Sequence, residues 1–315
     1  MKPTLVRWVL AHEPVELFIL AAERFVKLVN ERAPGRLNVE VMNLSEYSVR
    51  YNNGKKVLKS ELTEYLMQGR LEMAQTYTYR LSKWNRDLDA LNLPFLFDNH
   101  DQAARVFEGP IGRDLMQGYE KTNPKIKGLA YTYSGGFKHM LFRKQADNLA
   151  DFQGAKVRVS DCPVCEATFV AMGAVPARVE LEELKDHLES GTIDAGESTW
   201  SRFYGSQFND VTDTIYDTEH SLLLTNIVTN ADFFNSLDAE LQQIVMQAAI
   251  EAGRYEREIS IDDTPATEKQ ARNDGFKVIK LSAEERKKFI EATKSVYQQF
   301  ENTFTPGLIQ KLRDA

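Results

Sequence analysis

GAKVRVSDCPVCEATFVAMGAVP, residues 154 to 176, is the stretch from which the fold of this chain can be read. Its opening GAKVRVS reads as a β-strand that carries an arginine, Arg158, through otherwise apolar positions, and a helix is expected from Pro163. A second helix is expected over 181–190. A second short strand then follows in TIDAGEST (192–199), which carries Asp194, Glu197 and Ser198. Such alternation implies parallel sheets with right-handed crossovers and helices on both faces. Ligands in those sheets sit at the carboxyl ends of the strands, where Arg158's strand and Glu197 both fall. Arginine suits a carboxylate because its planar fork matches the two oxygens and its charge persists at every relevant pH. A buried arginine requires an anionic partner. Either a neighbouring Asp or Glu supplies it, or a ligand does.

The same alternation runs outward from this stretch. TLVRWVLAH (4–12) reads as a strand, and Val15, Phe18, Ala22, Phe25, Val26 and Val29 recur at the spacing of one helix face until Pro34-Gly35 stops it. Leu37, Val39 and Val41 alternate as a strand. Ser60 caps a helix with Leu62 and Leu66 that ends at Gly69. A strand through LEMAQTY, a helix from Asp98 to about Tyr119 and a strand in KIKGLAYTY follow. Residues 127–144 and 219–234 are long, extended and β-rich with no helix between, which suits strands crossing between two lobes as hinges. A helix from Ser236 to about Ser260 would extend roughly 35–40 Å, long enough to splint two lobes. The tail repeats helix, strand (276–281) and helix (283–300). The expected architecture is α/β and two-lobed, with residues 1–130 and 220–262 in one lobe and 131–219 and 263–315 in the other.

At 315 residues, 43% hydrophobic and 27% charged, the composition is that of a soluble two-lobed chain. The net charge of −7 argues against nucleic acid as the main partner, and no run of 18 apolar residues marks a membrane span. No leader peptide is visible after Met1-Lys2-Pro3. That fits a cytoplasmic protein, or an exported one whose leader has been replaced by a starting methionine.

The only two cysteines form Cys162-Pro163-Val164-Cys165. Zinc would need two further ligands of comparable spacing, and the five histidines are scattered, so no metal or other cofactor is expected. A dithiol redox centre would make the chain a CxxC oxidoreductase, but that motif is expected near the start of a small domain. The preferred reading is two small residues at a helix N-terminus, free or disulfide-bonded in an oxidising compartment.

Together these segments resemble the substrate-binding proteins of TRAP transporters, of the DctP type. The resemblance runs through ELFILAAERFVKLVNERAPGRLNVEV, LNLPFLFDNHDQAARVFEGPIGRDL (91–115), the 154–176 stretch, ESGTIDAGEST (189–199) and FFNSLDAELQQIVMQAAIEAG (233–253). It implies a periplasmic binding protein of two α/β lobes that is no enzyme. Such proteins close on a small organic acid and hand it to membrane permease subunits, and most work as monomers. The family's clamping arginine falls on Arg158. Its second arginine, in a Gly-Phe-Arg phrase, falls on Lys138, which keeps the charge without the fork, or is an exposed lysine on a hinge strand. The family's ligand-contacting Asn aligns with Ser198, whose shorter side chain weakens that contact. Glu197 matches a glutamate expected to brace the site. Trp200 is a ligand-packing or a core residue. Tyr77 and Tyr79 fall where relatives place pocket residues, and His12 and Glu13, ending the first strand, are further candidates.

The ligand class stays open among sugar acids, C4 dicarboxylates, keto acids and aromatic acids. The tyrosines and the lost second arginine tilt the reading toward a larger hydroxylated or aromatic monocarboxylate. A cytoplasmic sensor with the same fold is disfavoured, since no helix-turn-helix flanks the lobes. No GxSxG, HExxH or glycine-rich phosphate loop points to catalysis.

Overall fold

A computed structural model describes residues 2–11 and 16–315; His12 and Glu13 lie outside the described residues. Eleven strands occur among those described: β1 (Thr4–Leu10), β2 (Leu37–Asn43), β3 (Met73–Tyr77), β4 (Ile126–Phe137), β5 (His139–Phe142), β6 (Lys156–Val159), β7 (Val175–Arg178), β8 (Ala195–Ser198), β9 (Thr214–Asp217), β10 (Leu222–Asn230) and β11 (Lys277–Lys280). They form two sheets, in the orders β2-β1-β3-β10-β4 and β11-β9-β5-β8-β6-β7. The chain divides into two units, residues 1–85, 107–134 and 224–260 in the first and 86–106, 135–223 and 261–315 in the second.

In the first unit β1 pairs in parallel with β2 and β3, and β10 runs antiparallel to β3. The helix Glu16–Arg32 buries Phe18, Ala21, Ala22, Phe25, Leu28 and Val29, the three-and-four spacing of its apolar stripe. Trp8 of β1 meets Phe25 edge-on at 5.1 Å in the same core. In the second unit β6 pairs in parallel with β7 and β8, and β9 with β11. Its core gathers Met140, Phe142, Phe152, Val157, Val159, Phe169 and Phe289.

Four features differ from the sequence expectation. The sheets are mixed, because β5 runs antiparallel to both β8 and β9. In the first sheet β10 does the same beside β3. The helix expected over 98–119 is two helices, His100–Glu108 and Pro110–Thr122. Proline disfavours helical geometry in the residue before it, and Gly109 is extended (φ −86°, ψ −175°).

The long helix is Ala239–Asn273, 35 residues including Pro265. It begins where Asp238 accepts the Leu241 N–H at 3.0 Å, and it rises about 52 Å. Its polar second half escaped the apolar periodicity. Segment 86–106, expected with the first lobe, belongs to the second unit. The C-terminal region holds it there: Tyr297 donates to the Pro94 carbonyl (2.8 Å), Gln102 to the carbonyls of Leu312 and Arg313, and Thr305 to Asp87 (2.6 Å).

Candidate functional site

Two left-handed glycines, Gly135 (φ +97°) and Gly136 (φ +83°), end the run of β4 and turn the chain into β5. Lys138 lies between the two strands, tied by its N–H to the Ser221 carbonyl at 2.8 Å. Register then sets who meets whom. Met140 pairs with Glu197 and His139 with Ser198 across β5 and β8, while Arg158 pairs with Gly196 across β6 and β8. Because side chains alternate along a strand, Lys138, Met140 and Glu197 share one face, and His139, Ser198 and Arg158 share the other.

Lys138, expected either as a second ligand contact or as an exposed lysine, is 2% exposed. Its Nζ donates to Glu197 Oε1 at 2.9 Å. The other carboxylate oxygen, Oε2, lies 3.1 Å from His220 Nε2, and His220 Nδ1 lies 2.7 Å from Thr218 Oγ1. Burial opposes charge on Glu197, yet Lys138, His220 and Arg158 hold its carboxyl well below the carboxylate range. Burial likewise opposes the Lys138 ammonium, and Glu197 outweighs it, raising the pKa. Burial leaves His220 with a lowered pKa, so it is neutral, donating from Nε2 to Glu197 and accepting from Thr218.

Arg158 is 4% exposed. Its Nε donates to the Val179 carbonyl at 2.7 Å, and among the described residues its two Nη atoms have no hydrogen bond or ion pair. On the same face Ser198 Oγ is buried without a partner, as are both ring nitrogens of His139. His139 meets the Trp200 ring at 4.6 Å and a tilt of 49°, and burial pushes its pKa down to about 3. Trp200 is 2% exposed and also meets Phe203, the placement of a core residue. The second unit thus brings Arg158, Lys138, Glu197, Ser198 and Trp200 onto adjoining strands and turns.

In the first unit the rings of Tyr77 and Tyr79 stack at 5.3 Å and 19°. Beside them on β3, Gln75 is fully buried and faces Glu256 of the long helix. Gln75 Nε2 lies 2.9 and 3.0 Å from the two Glu256 oxygens, 2.9 Å from Thr132 Oγ1 and 3.2 Å from Thr225 Oγ1. Glu256 continues the buried stripe Val245, Ala248, Ala249, Ala252. An acid at that spacing was a readable signal in the sequence. His220, by contrast, left none, since nothing local tied it to Glu197.

Among the described residues, no three His, Cys, Asp or Glu side chains group to hold a metal ion, and no helix is long and apolar enough to cross a membrane. What the geometry offers is a buried charged cluster, the Lys138–Glu197–His220 set on one face and Arg158 on the other. The pattern of the bacterial extracellular solute-binding proteins, family 7 (DctP), matches residues 11–303. The chain belongs to this family.

It is similar to the C4-dicarboxylate-binding periplasmic protein DctP of Shewanella loihica, 29% identical over 91% of this chain and 82% of that one. It is also similar to the structure of a TRAP periplasmic solute-binding protein from Sulfurospirillum deleyianum with bound succinate (TM-score 0.85, 26% identity, 99% of both chains). A sugar-acid-binding protein of Advenella mimigardefordensis in complex with galactonate shares the fold (TM-score 0.88, 23% identity, 100% of this chain and 98% of that one). This DctP-family chain is therefore a two-lobed α/β solute-binding protein of the TRAP type, a transport protein and not an enzyme. The CxxC oxidoreductase reading finds no support in these relatives.

Proposed function

We propose that this DctP-family protein binds a small organic carboxylate through a bidentate salt bridge from Arg158 and delivers it to the membrane permease of a TRAP transporter. It works in the periplasm as a monomer. The observation that carries this reading is a charge balance. On one face Lys138 and Glu197 neutralise each other beside a neutral His220, which leaves the charge of Arg158, buried on the other face, without a counter-ion among the described residues. A buried guanidinium with free Nη atoms calls for one anion.

The same balance bears on the ligand. Lys138 is engaged by Glu197, so the second cation that could have met a second carboxylate is already neutralised. A hydroxylated or aromatic monocarboxylate therefore stands ahead of a compact dicarboxylate. The names of the dicarboxylate-binding relatives favour the second reading, a C4 dicarboxylate.

Thermal-shift screening against succinate, galactonate, a 2-keto acid and an aromatic acid separates the two, since a ligand at a hundred times its Kd stabilises the fold by about 2.7 kcal/mol. Arg158→Ala should cost roughly 2–5 kcal/mol of binding to whichever acid responds, and Arg158→Lys should also weaken it. Unchanged affinity by calorimetry in both variants would rule out the Arg158 clamp.

A further inference from the structure

Cys162 and Cys165 are the chain's only cysteines, and they stand three residues apart at the start of the helix Pro163–Ala171. Cys162 is the N-cap, accepting the Cys165 N–H on its sulfur at 3.3 Å. Sulfur is a weak acceptor, and serine, threonine, aspartate or asparagine would cap this helix better. The position therefore has a cysteine for some reason other than capping. The two sulfurs lie 2.8 Å apart, within about 0.8 Å of a covalent S–S bond. Cys162 is fully buried and Cys165 is 4% exposed.

We propose that Cys162 and Cys165 are joined by a disulfide in the working protein, locking the first turn of the helix that follows Arg158's strand. The inference rests on the family's placement outside the cytoplasm, where disulfides persist. Oxidation requires a disulfide oxidant, RSSR. One cysteine thiolate attacks it, releasing RS⁻ and forming a mixed disulfide; the second thiolate displaces the other RS⁻ and closes the S–S bond. The two cysteine protons end on the two RSH products. Burial places this step before the unit closes during folding and shields the finished bond from reductant.

Two arms test it, and neither uses ligand, so their outcome is independent of the Arg158 clamp. In the first, purified reduced protein is unfolded, refolded with oxidised glutathione, denatured again and alkylated. Mass spectrometry should find no alkyl group, and two would overturn the proposal on geometric grounds wherever the protein resides. In the second, the chain is exported to a bacterial periplasm and alkylated in denaturant at harvest. No alkylation is again expected; two alkyl groups on a chain that oxidises in the first arm would show a competent pair that is not joined in its working state. Reduction here means unfolding and refolding in reductant, with two alkyl groups per chain confirming both thiols free, and it should lower the melting temperature by about 3–6 °C. The Cys162→Ser/Cys165→Ser variant should be insensitive to reductant. An unchanged melting temperature of the wild type on reduction would overturn the locking role.

Discussion

Lys138 Nζ and Glu197 Oε1 are 2.9 Å apart, with each side chain only 3% exposed. The pair forms because β5 and β8 align Met140 with Glu197, which puts the residue two before Met140 on the same face. Removing one member strands a buried charge, which costs more than the intact pair contributes. Lys138→Met and Glu197→Leu should each lose about 3–5 kcal/mol in urea unfolding. The double variant should lose clearly less than the sum of the two. Additive losses would show that the two side chains act independently.

His139 and His220 are buried neutral, with pKa values below the ordinary 6.5 and that of His139 about 3, in each case first because of burial. Below pH about 6.5 the unfolded chain binds a proton at each more readily than the folded chain does. Their contribution to stability is therefore complete above that pH and is lost as pH falls, by about 1.4 kcal/mol per pH unit for each proton. Glu256 and Asp217 act in the opposite sense, so the readout is the difference between wild type and His139→Gln from pH 7.5 to 5. The variant should lose less stability over that range, by one proton's worth of slope. Parallel curves would mean that His139 is not held neutral.

Glu256 carries the reverse sign. Burial raises its pKa well above the carboxylate range, although Gln75 and Arg257 pull the other way. The contacts agree: Gln75 Nε2 faces four acceptors while its Oε1 has no partner. An amide turned over, with a protonated Glu256 donating to Oε1, gives the crowded position an acceptor that Glu256, Thr132 and Thr225 can all donate to. A raised folded pKa gives stability that is complete below the unfolded value near 4.3 and lost as pH rises through the folded one. Glu256→Gln keeps the shape and removes the titration. It should match wild type near pH 4.5 and grow more stable than wild type from pH 6 to 9. A variant less stable than wild type at pH 9 would mean that Glu256 is ionised in the fold.

The parts of this molecule that could be read from sequence are those written in short range. Arg158 stood out because it stands between Val157 and Val159 in the strand 155–160, and the helix Glu16–Arg32 showed in its own repeat. What could not be read depends on partners chosen by topology. Glu197 meets Lys138 from 59 residues away and His220 from 23, and Gln75 meets Glu256 across 181. Periodicity says which face a side chain takes but not which distant strand arrives beside it. Lys138 was therefore legible as a charge on a hinge strand and illegible as half of a buried pair. Segment 86–106 went astray similarly, since its anchors, Tyr297, Thr305 and the Leu312 carbonyl, lie about two hundred residues downstream.

Gly135 separates two costs that glycine usually hides. Its φ of +97° disfavours any side chain, and a Cβ there would lie 2.3 Å from Thr199 Oγ1 and 2.7 Å from Thr199 Cβ. Gly154 shares the left-handed backbone (φ +72°) but has nothing within 4 Å of an added Cβ. Gly154→Ala should therefore cost only the backbone share, about 1–2 kcal/mol. Gly135→Ala should cost about 2–5 kcal/mol, because overpacking against Thr199 adds to it. Thr199→Ala in the Gly135→Ala background should restore part of the difference by relieving the crowding. Equal losses for the two glycine variants in urea unfolding would show that Thr199 moves aside freely and that the turn into β5 is less tightly packed than its geometry implies.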